Sequence, residues 1–184
     1  MNVFIIHGAY GNPKENWFSW LKSELESLNH KVIIPEFPTP NEQELAKWTN
    51  NFQKYKCEIN SETILIGHSL GSAFILSILE TLNTPVKACF FIAGFIGLLN
   101  NKKFDSINKT FTAKDFDWDK IKKNCNKFIL FNSKDDPYVP LKKGQELSNI
   151  LNGELIIKEN AGHFNKDAGF TSFKELLTKI NELI

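Results

Sequence analysis

Residues Thr63 to Leu79 read TILIGHSLGSAFILSIL, and this stretch decides the fold. An apolar run of strand composition is followed by the five-residue turn GHSLG and then by a longer apolar stretch of helical composition. Glycines at both ends of the turn lack the Cβ atoms that would collide where a strand bends sharply into a helix. The pattern therefore predicts Ser69 at the tip of a strand-to-helix turn. Its oxygen then lies beside the unpaired amides of the first helical turn.

This strand, turn and helix resemble the nucleophile elbow of α/β-hydrolases, in which the turn sequence is G-x-S-x-G. An alternative interpretation is an ordinary glycine-rich turn in which the serine is incidental. Candidate partners for a nucleophilic serine later in the chain favour the elbow.

The composition is that of a globular domain with a sizeable core. The chain has 184 residues, of which 42% are hydrophobic and 23% are charged, so we expect one domain over residues 1–184. The net charge is +1, and all 22 basic residues are lysine. Without arginine there are no bidentate clamps on phosphate or guanine, so the composition argues against nucleic acid as a partner.

Targeting and redox signals favour the cytoplasm. The N-terminus carries no basic leader of the kind that begins a signal peptide, and no apolar stretch approaches the length of a membrane span. Three cysteines without C-x-x-C spacing argue against a disulfide framework or a zinc site. We therefore expect a cytoplasmic protein with no membrane partner and no metal.

Short apolar runs alternate with stretches of helical period. This alternation predicts a three-layer α/β fold: a mostly parallel sheet of about six strands with helices on both faces and no large cap domain. The predicted strands are Val3–Ile6, Val32–Ile34, Thr63–Ile66, Ala88–Ile92, Phe128–Phe131 and Leu155–Ile157. The predicted helices are Trp17–Leu28, Glu42–Tyr55, Leu70–Leu82, Trp118–Lys123, Leu141–Leu151 and Ser172–Ile184.

The segment Gly94–Asp117 interrupts this alternation because its apolar residues show no clear period. It follows the fourth strand, at the sheet edge where α/β proteins bind ligands. Long irregular connections of this kind are often lids or binding loops, although a surface loop with a few buried anchors fits equally well.

A nucleophilic serine needs a general base and a third group that orients the base. Of the four histidines, His163 lies between the last strand and the last helix, where α/β-hydrolases place the base. The acid is expected after the preceding strand, where Asp135 and Asp136 are adjacent. We favour Asp136 because many α/β-hydrolases place the acid in the pattern D-x-x-V-P, and Asp135 remains the alternative.

The oxyanion of an acyl-transfer intermediate needs two hydrogen-bond donors. One is expected to be the backbone amide of Leu70, which directly follows the nucleophile. The other is expected from the loop after the first strand, where the amide of Ala9 is the first choice and that of Tyr10 the second. His7 and His68 are interpreted as supports for these turns.

With these parts in place, the chain resembles the small serine hydrolases of the retinoblastoma-binding-protein and YdeN-like family. The resemblance covers nearly the whole length, and the family's acid directly precedes a proline, as Asp136 does. The segments that carry it are Asn16–Leu21, Ile64–Ser69, Trp118–Cys125, Ser133–Pro137 and Gly162–Phe164. The first loop, His7–Gly11, departs from the glycine-rich sequence of some relatives.

The resemblance implies a serine hydrolase that acts on a small ester, thioester or amide without a metal or cofactor. The candidate substrate contacts are the aromatic residues near the expected site, Tyr10, Trp17, Tyr138 and Phe164, together with the segment Phe95–Phe116, although each of these aromatic residues is equally suited to the core. Two other functions remain open, namely a binding or scaffold protein that retains the triad and an acyltransferase that uses it.

Overall fold

The six strands form a single parallel sheet at the centre of the molecule. The computed structural model describes all residues from 1 to 184. Every pair of neighbouring strands is parallel, and the spatial order is β2-β1-β3-β4-β5-β6. The strands are β1 (Asn2–Ile6), β2 (Lys31–Ile33), β3 (Ile64–His68), β4 (Ala88–Ile92), β5 (Phe128–Ser133) and β6 (Glu154–Lys158).

Seven α-helices cover the two faces of the sheet. They are α1 (Phe18–Ser27), α2 (Leu45–Phe52), α3 (Leu70–Leu79), α4 (Lys102–Thr112), α5 (Trp118–Lys123), α6 (Leu141–Leu151) and α7 (Lys174–Asn181). Helices α2 to α6 pack on one face over a core of 25 buried residues, and α1 and α7 pack on the other over 20. None of the helices combines the length and apolar character that crossing a bilayer requires.

Strand β1 shows why both faces must be covered. Phe4 and Ile6 belong to the core under α2 to α6, whereas Val3 and Ile5 belong to the core under α1 and α7. Successive side chains of a strand point to opposite faces, so a continuous apolar strand needs helices on both sides.

The predicted fold class is confirmed. All six predicted strands are present, and α5 and α6 have the predicted bounds. The helix predicted over Glu42–Tyr55 is a shorter α2, continued by a 3₁₀ turn over Gln53–Glu58. No large cap domain is inserted between the strands.

The segment Gly94–Asp117 contains a helix, α4, where the sequence predicted no regular structure. The helix begins after Asn101, whose side chain accepts hydrogen bonds from the amides of Lys103 and Phe104. Its inner face includes buried Asn108 and Thr112 beside the apolar residues. These two polar residues interrupt the apolar period, which is why the pattern was not recognised in the sequence.

Candidate active site

Ser69 lies at the tip of the turn between β3 and α3. Its backbone φ is +53°, a left-handed value that is uncommon for a residue with a side chain. The glycines on either side make this turn possible. A Cβ at Gly71 would lie 2.3 Å from the carbonyl oxygen of Ile6, and one at Gly67 would lie 2.6 Å from the amide nitrogen of Ser72. Because these two residues have no Cβ, β3 can bend closely onto α3 at Gly67, and the start of α3 can pack against β1 at Gly71.

His163 and Asp136 are joined by a direct hydrogen bond. Nδ1 of His163 lies 2.8 Å from Oδ2 of Asp136, whose side chain is almost completely buried. The other carboxylate oxygen, Oδ1, accepts hydrogen bonds from the amides of Tyr138 at 2.8 Å and Val139 at 3.0 Å. Because three hydrogen bonds fix the carboxylate and Nδ1 is engaged, Nε2 is the ring nitrogen that remains for chemistry. His163 lines the same cavity as Ser69.

The neighbouring Asp135 makes different contacts. Its Oδ1 accepts hydrogen bonds from the Ser133 hydroxyl and from the amides of Ala161, at 3.1 Å, and Gly162, at 3.0 Å. These bonds, the one from Ser133 foremost, hold the pKa of Asp135 below its usual value. Asp135 thus ties the end of β5 to the loop that carries His163, whereas Asp136 contacts the His163 ring itself.

Two backbone amides beside Ser69 have no acceptor within the protein. They are those of Ala9 and Leu70, whereas the amide of Tyr10 donates to the Thr39 hydroxyl at 2.7 Å. Gly8 brings the first loop against the nucleophile, since a Cβ there would lie 3.0 Å from Cβ of Ser69. Of the two amides expected from this loop, the one of Ala9 is therefore available to a ligand.

His68 packs beneath the loop of His163. Its Nε2 lies 2.8 Å from the carbonyl oxygen of His163, and a carbonyl only accepts, so Nε2 carries the proton. Its Nδ1 is buried without a partner. Burial, reinforced by the nearby His163, lowers the pKa of His68 to about 3. His68 is therefore a neutral support 4.9 Å from the His163 ring, measured between ring centroids.

The cavity above Ser69 has a volume of about 640 Å³ and two unlike walls. The apolar wall contains Tyr10, Leu99, Phe104, Tyr138 and Val139, and the polar wall contains Asn12, Lys14, Glu15, Asn165, Lys166 and Asp167. In the apolar wall the Phe104 ring bridges those of Tyr10 and Tyr138, with centroid distances of 6.1 Å and 5.6 Å. Phe104 lies in the segment Phe95–Phe116, which was a candidate wall of the pocket, but it was not singled out because its position depends on the unpredicted helix α4.

Two predicted substrate contacts, Trp17 and Phe164, need correction. Both side chains are fully buried in the core, and neither lines the cavity. Nε1 of Trp17 donates to the carbonyl oxygen of Phe164 at 3.0 Å, and the Phe164 ring stacks on Phe173. Trp17 and Phe164 therefore connect the first loop to the last one. Their rings lie in the core because burial of a large aromatic side chain contributes more to stability than partial exposure at a cavity.

Glu15 is a further titratable group in the polar wall. Its carboxyl packs against Gly11, where a Cβ would lie 2.5 Å from Oε1. Burial raises the pKa of Glu15 to about 7, against the opposing effect of a hydrogen bond to the Asn12 backbone. No sequence pattern indicates that this carboxyl is unusual, because its environment depends on how the first loop folds.

The structure contains no group of three or more histidine, cysteine, aspartate or glutamate side chains that could hold a metal ion.

Comparison with known proteins gives consistent matches. The model of a family described as serine hydrolase matches residues 3–182. The chain is 31% identical over 172 residues to YdeN of Bacillus subtilis (strain 168), covering 92% of this chain and 89% of YdeN. It is 27% identical over 169 residues to serine hydrolase RBBP9 of Rattus norvegicus, covering 91% and 86%.

Solved structures agree with these matches. The crystal structure of the ydeN gene product from B. subtilis superposes with a TM-score of 0.92 at 29% identity, covering 99% of this chain and 97% of that one. Mouse alpha/beta hydrolase domain-containing protein 10 superposes with a TM-score of 0.73 at 16% identity, covering 99% and 88%. The second match concerns the fold alone, which is that of the α/β-hydrolases.

Proposed function

This chain belongs to the serine hydrolase family, and from that premise we propose that it cleaves a small ester, thioester or amide through an acyl-enzyme. The proposed catalytic residues are Ser69, His163 and Asp136. The amides of Leu70 and Ala9 are the proposed oxyanion donors. Tyr10 and Tyr138 are the proposed substrate contacts from the sequence, and Phe104 joins them.

In the proposed mechanism, Nε2 of His163 removes the hydroxyl proton of Ser69 as its oxygen attacks the substrate carbonyl. The two amides stabilise the negative charge on the carbonyl oxygen, where one donor is worth about 3 kcal/mol of barrier. His163 then gives its proton to the departing alcohol, thiol or amine, and the acyl group remains on Ser69. Water, activated by the same imidazole, releases the acid and restores the serine.

The observation that carries this proposal is the 2.8 Å hydrogen bond between His163 and Asp136 at a cavity shared with Ser69. The bond fixes the tautomer that leaves Nε2 free to accept a proton, and the carboxylate stabilises the imidazolium that forms. Neutral His68 supports the proposal further, because a second positive charge beside His163 would oppose that imidazolium.

The apolar wall suggests the kind of acyl group. Its aromatic side chains and Leu99 suit an aliphatic or aryl group of modest size, and the polar wall suits the leaving group or solvent. We also place the protein in the cytoplasm, a proposal that rests on its three unpaired cysteines.

A fluorophosphonate probe tests the proposed function. The protein should be labelled on Ser69, and Ser69→Ala should abolish labelling while keeping the fold, checked by circular dichroism. Hydrolysis of p-nitrophenyl esters of increasing chain length then measures the acyl pocket. Well-folded protein that neither reacts with the probe nor cleaves any ester would favour a binding protein instead. Faster capture of the acyl group by an added alcohol than by water would indicate an acyltransferase.

A further inference from the structure

Asn108 is a buried polar residue at the cavity, and the catalytic mechanism does not use it. It lies on α4, one turn after Phe104, and is only 3% exposed, yet it lines the cavity. Its Oδ1 accepts a hydrogen bond of 2.7 Å from Nε2 of Gln43, whereas its Nδ2 has no partner in the protein. The nitrogen is not sealed from the cavity, so it is a fixed donor that either water or a ligand oxygen can satisfy.

The direction of this amide is fixed by a chain of hydrogen bonds. The carbonyl oxygen of Ile107 can only accept, so the Gln43 atom that faces it at 3.2 Å is Nε2, and Oε1 accepts from the Thr39 hydroxyl, which itself accepts from the amide of Tyr10. Nε2 of Gln43 then donates both to the carbonyl oxygen of Ile107, at 3.2 Å, and to Asn108. Because Nε2 of Gln43 donates to Asn108, the atom of Asn108 that faces it is Oδ1, and the NH₂ group is the end left for the cavity.

The surroundings of Asn108 select the ligand chemistry. The neighbouring cavity residues, Leu99 and Phe104, are apolar. The lysines that line the cavity, Lys14 and Lys166, belong to the first and last loops and not to this wall. The Lys103 ammonium lies 5.0 Å from the centroid of the Tyr10 ring but does not line the cavity. A neutral donor among apolar lining residues suits an uncharged acceptor oxygen better than a carboxylate.

We propose that Asn108 is a specificity-determining residue that donates a hydrogen bond to an uncharged oxygen, a ketone or ether oxygen, within the otherwise apolar acyl group of the substrate. This rests on the proposed function, since the oxygen belongs to the acyl group that Ser69 accepts. The favoured substrate has an apolar body against Phe104 and one acceptor displaced from the scissile carbonyl.

Matched pairs of esters test the proposal. The p-nitrophenyl esters of 4-oxopentanoic, 5-oxohexanoic and 6-oxoheptanoic acids are compared with those of pentanoic, hexanoic and heptanoic acids, and kcat/KM is measured for each. At one or more oxo positions the oxo ester should be favoured about tenfold over its partner of equal chain length, the effect of one hydrogen bond to a group otherwise left unpaired.

Two variants remove the donor in different ways. Asn108→Asp keeps the size and the acceptor for Gln43 but puts an oxygen in place of the NH₂ group, so the oxo preference should fall to unity or below. Gln43→Glu leaves Asn108 in place but removes the amide that donates to it. Asn108 should then turn its NH₂ group toward the new carboxylate and present Oδ1 to the cavity, so the oxo preference should again fall to unity or below. Thr112→Val, on the same helix face outside this cavity, should keep the wild-type preference.

The outcomes separate the two proposals. Hydrolysis of all esters by the wild type without preference at any oxo position overturns the role of Asn108 and leaves the proposed function standing. A preference that survives in both Asn108→Asp and Gln43→Glu also overturns it. If the wild type cleaves no ester and takes no fluorophosphonate label, the proposed function fails and the role of Asn108 falls with it.

Discussion

The buried His68 makes folding stability depend on pH. Its pKa is lowered to about 3 in the folded protein, whereas an unfolded histidine titrates near 6.5. Below pH 6.5 the unfolded chain therefore binds a proton that the folded protein does not, so the free energy of unfolding falls as the pH falls. At pH 5, 1.5 units below the unfolded value, this proton costs about 2 kcal/mol.

The measurement is urea unfolding at pH 7.5 and pH 5, in the wild type and in His68→Gln. Other groups, including His7 with its lowered pKa, contribute to the pH dependence of both proteins. The drop in the free energy of unfolding between the two pH values should be about 2 kcal/mol smaller in the variant, because glutamine does not titrate. The comparison is unaffected by any constant loss of packing at position 68.

A second non-titrating variant, His68→Asn, controls for side-chain shape and should show the same reduced pH dependence. Equal pH dependence in the wild type and both variants would refute the reasoning. It would mean that His68 takes up a proton in the folded protein as readily as in the unfolded chain between pH 7.5 and pH 5. His68 would then not be the neutral support described above.

Three further predictions concern the acid pair, the cavity carboxyl and the turn. Asp136→Asn should lower kcat by about 10³–10⁴-fold with the fold intact, whereas Asp135→Asn should lower it far less; equal losses in an ester assay would contradict the assignment. Glu15→Gln should raise the free energy of unfolding at pH 8 by about 1–2 kcal/mol, a figure discounted for partial solvent access, and leave it unchanged at pH 4. The sign follows because the raised pKa of Glu15 makes the wild-type protein lose stability as the pH rises from 4.5 to 7. If the free energies of unfolding of the wild type and Glu15→Gln change in parallel with pH, this prediction is wrong. Gly71→Ala should destabilise by more than about 3 kcal/mol, since its Cβ would lie 2.3 Å from the carbonyl oxygen of Ile6, and an unchanged melting temperature would contradict this.

The sheet was predictable because its strands are short, apolar and separated by helical stretches. Their carboxyl ends share one edge, so the order of motifs along the chain predicted that Ser69 and His163 would face one cavity. The choice between the two aspartates depends on hydrogen bonds that only the folded loops supply. From the sequence it rested on the D-x-x-V-P pattern that begins at Asp136, with the family's acid-before-proline order as support.

Predictions about aromatic residues were less successful for a physical reason. Tyr10, Trp17, Tyr138 and Phe164 all lie near loops of the catalytic edge, and an aromatic ring suits both a core and a pocket. Tyr10 and Tyr138 are partly exposed at the cavity, whereas Trp17 and Phe164 are core residues. Helix α4 was missed because the polar residues on its inner face are stabilised by long-range partners such as Gln43, 65 positions away from Asn108.

Helix α4 and the turn before it supply Phe104 and Leu99 to the apolar wall but none of the proposed catalytic groups. The nucleophile, base and acid are held by β3, β5, β6 and their own loops, so the reacting centre does not depend on the chain between β4 and α5 for its assembly. The segment also carries Phe95 and Phe111, which are buried in the core under α2 to α6, so a replacement must keep these two anchors while the residues that line the cavity vary. Grafting a different segment of similar span between β4 and α5 offers a route to hydrolases of altered substrate range, with the reacting centre left as it stands.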